Sequence, residues 1–290
     1  MLSFDILVPA VFNGLAMGAI YALVALALTL IYGVLHIINF AHGALLSMAL
    51  FAAFFAFHLF GIDPYIVVFL LAPLFYAFGY ALQRFIIGPV SRGDDRNMLL
   101  VTLGLAVFIE NALLNVFRAD TRTIDAAYAF QSVDFGFAFV VVPRIVAFFA
   151  VFVVAAALWL LLSVTDIGKA IRAVAKEKLG AELVGIDVAH IYAVTFGLGT
   201  ACVAIAACLL IPTYYVNPHA GEAFVLIAFT IVVLGGMGSV LGALIGGFLI
   251  GVVESLSGLF FGESLGQIGI FLLFIFVLLV RPSGLFGARA

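Results

Sequence analysis

Few residues of this chain could do chemistry, and they stand far apart in an apolar sequence. Within the apolar stretches lie Asn13, Asn39, His42, His58, Gln83, Glu110, Asn111, Asn115 and Glu254. None of them completes a catalytic or metal-ligating pattern. His36 and His42 match no i, i+4 ligand pair on a helix, and no His-Glu-x-x-His motif, EF-hand loop or Cys/His cluster occurs. The Gly168-Lys169 pair is followed by Ala170 where a phosphate-binding loop needs Ser or Thr, and Ser163 occupies its first glycine position. Gly236-Met237-Gly238 does not extend to a dinucleotide fingerprint, because Leu241 stands where the third glycine belongs. The chain therefore carries no visible means of hydrolysing ATP or moving electrons. No catalytic residue, cofactor or metal site is assigned, and the protein reads as a non-enzyme. Cys202 and Cys208 share one helix, a rise of about 9 Å apart, beyond disulfide reach; they read as small buried hydrophobes.

Glu110 is the most informative polar residue. It falls about two turns from one end of an apolar run, where a carboxylate is costly and normally faces a bundle interior or water. Two readings stand: a pathway residue contacting a substrate ammonium, or a protonated or interhelically hydrogen-bonded glutamate near the interface. Asn39 and His42 lie at a break between apolar runs, where they can satisfy loosened backbone groups or line a pathway. Glu254 falls at a span end and reads as solvated. No Lys or Arg lies fully within a run, so a relay of alternating acidic and basic groups is not supported.

The elements that position these residues follow from composition. The chain has 290 residues, of which 12 are Lys or Arg and 15 are Asp or Glu, and 67 % are hydrophobic. Charged residues make up 9 %, against about 25 % in a soluble domain. This excludes a soluble enzyme and a disordered chain, and the net charge of −3 offers no basic footprint for nucleic acid. Charge-free runs cover 6–62, 64–83, 145–165, 188–221, 223–253 and 264–280. They are long enough to cross a bilayer as helices, which takes roughly 20 residues, and too long and unalternated for barrel strands. The fold class is all-α, a polytopic transmembrane helical bundle of about 8–9 spans, some short or interrupted. Residues 1–290 form a single transmembrane domain. The first five residues lack the positive n-region of a cleaved signal.

Spans are expected near 8–31, 41–59, 64–84, 97–117, 145–164, 190–211, 222–254 and 265–280. The loop 84–96 carries Arg84, Arg92 and Arg96, and 165–187 carries Lys169, Arg172, Lys176 and Lys178. Counting positive charges places both in the cytoplasm and 118–144 outside. Arg281 and Arg289 at the C-terminus should also be cytoplasmic. That parity requires 222–254 to turn at Gly235-Gly236-Met237-Gly238-Ser239, giving two short spans; as one helix it would be about 50 Å long. A similar interruption at Tyr32-Gly33-Val34-Leu35-His36-Ile37-Ile38-Asn39-Phe40-Ala41-His42-Gly43 splits the N-terminal run. Interrupted segments in corresponding halves point to a transport pathway, and the pathway candidates are Asn13, Asn39, His42, Glu110, Asn111, Gly235 and Gly236. Gly14/Gly18, Gly238/Gly242/Gly246 and Gly247/Gly251 have the small-xxx-small spacing of close helix packing or of helices that move during gating.

The 165–187 loop is the most specific element. Asp166 is a plausible N-cap. Ile167, Ile171 and Val174 form one apolar stripe, and Lys169, Arg172 and Lys176 line another face. Gly180 is expected to break this helix, with a further turn ending at Gly185. Ala170, Ala173 and Ala175 crowd its middle and no Trp or Phe anchors it, which favours a protein partner over a lipid surface.

At this loop and at the N-terminal break the sequence resembles the shorter, LivH-type permease subunits of branched-chain amino acid ABC importers. The matching residues are Asn13-Gly14-Leu15, Tyr21-Ala22-Leu23, Ile31-Tyr32-Gly33-Val34, Ile37-Ile38-Asn39-Phe40-Ala41-His42-Gly43 and Thr102-Leu103-Gly104-Leu105. Others are Gly168-x-Ala170-x-Arg172-Ala173-x-Ala175, Ala181-x-Leu183-x-Gly185-Ile186-Asp187, the Gly235–Ser239 run and Arg281-Pro282-x-Gly284-Leu285-Phe286-Gly287. The resemblance implies a multi-pass protein of the bacterial inner membrane with no cofactor, which would make the 118–144 side periplasmic. It implies a paralogous permease as partner in a heterodimer, two ATPase subunits, a periplasmic substrate-binding protein, and lipid around the bundle. The ATPase would dock through a coupling segment using Gly168, Ala170, Arg172, Ala173, Ala175, Lys176, Leu179, Ala181, Leu183, Gly185 and Ile186. The cargo would be a branched-chain amino acid or a related small amphiphile such as urea, a short amide or an aromatic acid. Read without the resemblance, the interrupted helices and one buried carboxylate also fit a stand-alone secondary transporter.

Overall fold

A computed structural model of the chain describes residues 4–91, 95–136, 138–262, 265–281 and 284–286. Arg92 of the basic loop, Pro282 and Gly287 of the C-terminal motif, and the C-terminal Arg289 lie outside the described residues. The apolar runs form helices α1 (Phe4–Leu35), α2 (His42–Phe60), α3 (Pro64–Ala81), α4 (Gly88–Ser91) and α5 (Asp95–Phe117). A wider π-helical stretch, Leu82–Ile87, joins α3 to α4. Next come α6 (Val142–Val164), α7 (Asp166–Lys176), α8 (Lys178–Leu183) and α9 (Val188–Leu210). The chain ends with α10 (Ala220–Gly235), α11 (Val240–Phe261) and α12 (Gly266–Val280). Among the described residues seven helical stretches are long and apolar enough to span a membrane, and α10 and α12 are shorter apolar helices. The protein is a polytopic helical membrane protein. The segment between α5 and α6 also holds a short antiparallel hairpin, β1 (Ser132–Asp134) with β2 (Phe139–Val141).

Two helices make the core. Over one apolar 18-residue stretch of each helix, 89 % of the residues of α1 and 83 % of those of α9 are buried, against only 17 % for α6 and 22 % for α5. A helix that is apolar all round belongs inside. Around this pair the packing repeats itself: α1 lies chiefly along α11, and α9 lies chiefly along α3. Small residues permit both approaches. A Cβ on Gly14 would meet the Gly251 carbonyl at 2.7 Å, and one on Gly18 the Gly247 carbonyl at 2.7 Å. On the other side Gly197 faces the backbone of Tyr76, and the Thr200 hydroxyl donates to the Phe75 carbonyl at 2.8 Å. The small-xxx-small glycines are thus packing contacts.

The interruption after α1 is a re-entry. His36 takes a left-handed conformation (φ 56°), and the chain turns back into the bundle. His42, the first residue of α2, places Nε2 3.1 Å from the Val24 carbonyl. Val24 is eleven residues before Leu35, about 16 Å along the helix axis, so α2 begins at the depth of the middle of α1. The chain between α9 and α10 also re-enters: Gly221 packs its backbone against Gly43, and its N–H donates to Ser47 Oγ at 2.9 Å. Two helix N-termini therefore meet inside the bundle.

The glycine run at 235–239 is a turn, with Gly236 and Gly238 at φ 97° and 89° and Ser239 capping α11. Gly33 packs against Gly238, and the C-terminal Phe286 N–H donates to the Gly235 carbonyl at 3.1 Å. The ends of α1, α10 and α12 thus share one end of the bundle with the Arg84–Asp187 ion pair (3.7 Å) and with α7 and α8. At the opposite end Arg122 and Val216 exchange backbone hydrogen bonds of 2.9 and 2.7 Å, and Tyr65 stacks on Tyr128. This division into two ends is the alternation that the positive charges demanded.

Valine at Gly221 would drive its side chain into the Gly43 backbone, which cannot yield. Gly221→Val should cost about 3 kcal/mol or more and lower the melting temperature in detergent. Gly104→Ala, where nothing lies within 4 Å, should leave the melting temperature unchanged. A Gly221→Val protein that melts with the wild type would overturn the close approach.

Candidate functional site

The segment between α6 and α9 forms a folded surface at the basic end. Thr165 is the N-cap of α7: its backbone is extended and its hydroxyl accepts from the Gly168 N–H at 3.0 Å. This corrects the expectation for Asp166, which sits one residue inside. There its carboxylate suits the helix N-terminus and takes Lys169 Nζ at 2.9 Å. The hydrogen bond and charge of Lys169 hold the Asp166 carboxyl below the usual carboxylate range. Ile171 and Val174 are buried, while Ile167 is half exposed. Gly168 lies against the Leu161 and Leu162 backbone, which fixes the corner between α6 and α7.

The break after α7 falls at Glu177, not at Gly180. Glu177 is extended (φ −155°, ψ 103°), and its carboxylate caps α8 by accepting from the Leu179 N–H at 3.3 Å. Gly180 is helical because the carboxylate cap at Glu177, three residues earlier, already ends one helix and starts the next. At the far end Gly185 is left-handed (φ 88°), its N–H donates to the Glu182 carbonyl, and the Ile186 N–H donates to the Ala181 carbonyl at 3.0 Å. That pair of bonds is a Schellman ending with Gly185 at C′. Ala181 is buried beneath it, Ala170 and Ala175 are half-buried, and Ala173 is exposed. Leu183 is 88 % exposed and Val184 77 %, beside exposed Leu179, Arg172 and Lys176. So large an apolar exposure, on a segment that also exposes cations and is held by caps at both ends, is the form of a contact surface.

The remaining polar groups sit in three places. At the first break Asn39 Oδ1 accepts from the Ala41 N–H at 3.1 Å, and His42 meets the Val24 carbonyl; both residues are fully buried. Gly235 and Gly236 form the turn at the basic end. On the open face of α5, Glu110 comes together with His219 and Glu222, which precede and open α10; one ligand atom of each lies within 4.8 Å of the others. His219 Nδ1 is 2.7 Å from Glu222 Oε1. Sequence reasoning missed both partners. The i, i+3 spacing of His219 and Glu222 was a visible signal, but nothing in the sequence linked them to Glu110. Asn111 is exposed and bonds to the Val107 carbonyl of its own helix at 2.8 Å.

The third place is the end opposite the basic loops. Asn13 Nδ2 donates to the Pro9 carbonyl at 3.1 Å and the Phe139 carbonyl at 3.4 Å, and Asn13 Oδ1 accepts from Arg144 Nη1 at 3.4 Å. Glu254 is not simply solvated: it is half-buried, facing the Tyr21 hydroxyl and the charge of Arg144.

Over residues 10–280 the chain matches the family described as branched-chain amino acid transport system / permease component. It is similar to the high-affinity branched-chain amino acid transport system permease protein BraD of Pseudomonas aeruginosa, 34 % identical over 288 residues, covering 95 % of this chain and 94 % of BraD. The corresponding LivH protein of Escherichia coli K12 is 31 % identical over 293 residues, with the same coverage of each chain. A probable LivH of Methanocaldococcus jannaschii is 28 % identical over 282 residues, 91 % of this chain and 88 % of that one. Among solved structures, a chain of PsaBC from Streptococcus pneumoniae in complex with Fab superposes with a TM-score of 0.49 at 16 % identity, covering 94 % of this chain and 92 % of that one.

The α7 caps make two measurable statements. Thr165→Ala should cost about 1 kcal/mol of helix stability, seen as roughly fivefold faster hydrogen exchange at the first amides of α7. The Asp166 contribution is present at neutral pH and lost as pH falls through its lowered value. Lys169→Ala should return that carboxyl to the ordinary range in an NMR titration; an unchanged midpoint would remove Lys169 as the cause.

Proposed function

The chain belongs to the branched-chain amino acid transport permease family, and on that premise we propose that it forms half of a translocation pathway driven by ATP hydrolysis on separate subunits. As a member it is a transport permease component and a multi-pass membrane protein, which in bacteria sits in the inner membrane. The cargo of this reading is a branched-chain amino acid or a similarly small amphiphile with an apolar body. A binding protein delivers it at the end carrying the 118–144 segment. A second permease supplies the other half, and two ATPase subunits dock at the basic end.

The observation that carries the reading is the α7–α8 surface. Leu179, Leu183 and Val184 stand out from the bundle beside Arg172 and Lys176, while Ile171, Val174, Ala181 and Gly168 tie the same segment to the helices behind it. Force applied to that surface reaches α6 and α9 directly. No nucleotide-binding motif exists in the chain, which accords with an ATPase on a separate subunit. In the same reading Glu110 and Asn111 face the pathway, because a carboxylate beside lipid at that depth is expensive. Asn39 and His42 hold the first break open, Asn13 stands near the outer mouth, and Gly235 and Gly236 bend where α10 ends.

Gentle extraction of the tagged chain, with mass spectrometry of what accompanies it, tests the assembly. An ATPase subunit and a second permease are expected; a folded chain recovered alone would favour a stand-alone transporter. Arg172→Glu should cut ATPase recovery by about tenfold, equivalent to about 1.4 kcal/mol, with the gel-filtration profile of the permease unchanged. Full recovery would count against the cationic face. Glu110→Gln should lower uptake severalfold without loss of assembly, and normal uptake would remove Glu110 from the pathway.

A further inference from the structure

At the end opposite the α7–α8 surface, α1, α6 and α11 enclose an open cleft of about 710 Å³. That lies within the range of about 300–1,000 Å³ typical of small-molecule sites. Its floor is the α1–α11 crossing, where Gly14 and Gly251 leave the backbone bare. Met17 and Leu259 supply apolar wall, and Arg144 and Glu254 bring opposite charges into the same space.

Neither charge serves the fold in an ordinary way. Arg144 lies in the first turn of α6, just after Pro143, where the helix dipole disfavours a cation. Its guanidinium is little used: one long bond of 3.4 Å reaches Asn13 Oδ1, and its buried Nε has no partner. Glu254 lies within the membrane-spanning part of α11, where a carboxylate is expensive. The hydroxyl of buried Tyr21 faces it. Although Arg144 and Glu254 feel each other's charge, they do not close into an ion pair. Two opposite charges that line one cleft without pairing, together with apolar wall, complement a molecule with its own two opposite charges and an apolar body.

We propose that this cleft is a binding subsite for the zwitterion of an apolar α-amino acid, Arg144 taking the carboxylate and Glu254 the ammonium. A carboxylate there also meets the N-terminal end of α6. Tyr21 positions Glu254, and Asn13 positions the guanidinium. The inference rests on the transport reading above and adds a place where the permease itself grips the cargo. The site was hidden in the sequence because residues 13, 21, 144 and 254 share no spacing.

The test uses the full chain in detergent, together with whatever partners co-extract, and three probes: L-leucine, L-leucinamide without the carboxylate, and 4-methylpentanoate without the ammonium. L-Leucine should bind at least about tenfold tighter than either analogue, the margin of one unpaired buried charge contact. Arg144→Gln should abolish the preference over leucinamide and keep that over 4-methylpentanoate; Glu254→Gln should do the reverse. Arg144→Lys and Glu254→Asp should retain both preferences. Equal binding of the three probes by the wild type, which needs no variant to fold, would overturn the proposal, as would variants that weaken all three alike. An ATPase recovered with a chain that binds no leucine would sink this inference and leave the importer reading standing. Selective leucine binding by a chain without an ATPase would do the opposite.

Discussion

Within a bilayer every backbone N–H and C=O must find a partner inside the protein, and the meeting of Gly43 with Gly221 is where this chain must meet that demand at two helix starts at once. Two helices begin there, well inside the bundle, and each beginning leaves N–H groups without intrahelical partners. Ser47 takes the Gly221 N–H, Asn39 takes that of Ala41, and Asn217 Oδ1 takes that of His219 at 3.0 Å. A side chain larger than hydrogen at either glycine would separate the two helix starts and expose these groups. The burial of α1 and α9 follows from the same point, since they are the helices from which the chain turns back.

From that centre the packing spreads in two matching directions, α1 along α11 and α9 along α3. The outer helices α5 and α6 are then left with most of their surface uncovered. Such surface suits lipid where it is apolar. On α5 it is not wholly apolar, because Glu110 and Asn111 are there. The structure thus separates a rigid interior from a face that has charge to offer, and it ties the basic end to that interior through buried Ile171, Val174 and Ala181.

Much of this was legible from composition and spacing. Charge-free runs mark the spans, and lysine placement sorts the loops into two ends, because both reflect the cost of moving charge through hydrocarbon. The turn at Gly235–Ser239 was readable because a single helix there would have been too long. Details of capping were less so: Thr165 and Asp166 are both good N-caps, and Glu177 competes with Gly180 as a breaker, so only the backbone geometry decides. Least legible were contacts across the bundle. Glu110 with His219 and Glu222, or Arg144 with Glu254, join residues more than a hundred positions apart. Sequence shows each group as isolated, whereas folding makes them neighbours.

Scarcity of charge makes each charged group in such a chain informative. Arg122 illustrates how the protein settles a charge that has only a structural task. Its guanidinium lies within 5.6–5.8 Å of the ring centroids of Phe54, Phe55 and Phe117 and donates to the Phe117 carbonyl at 3.3 Å. Cation–π contact and a hydrogen bond together replace its hydration, and its backbone is held by Val216. Arg144 has no such setting: one long side-chain bond, an unpartnered Nε, and the wrong end of a helix. Where one arginine is fully accommodated and another of the same chain is left poorly partnered beside a cleft, packing alone explains the first and not the second. The poorly partnered guanidinium is the one free to gain from an arriving carboxylate, because less must be broken for it to bind.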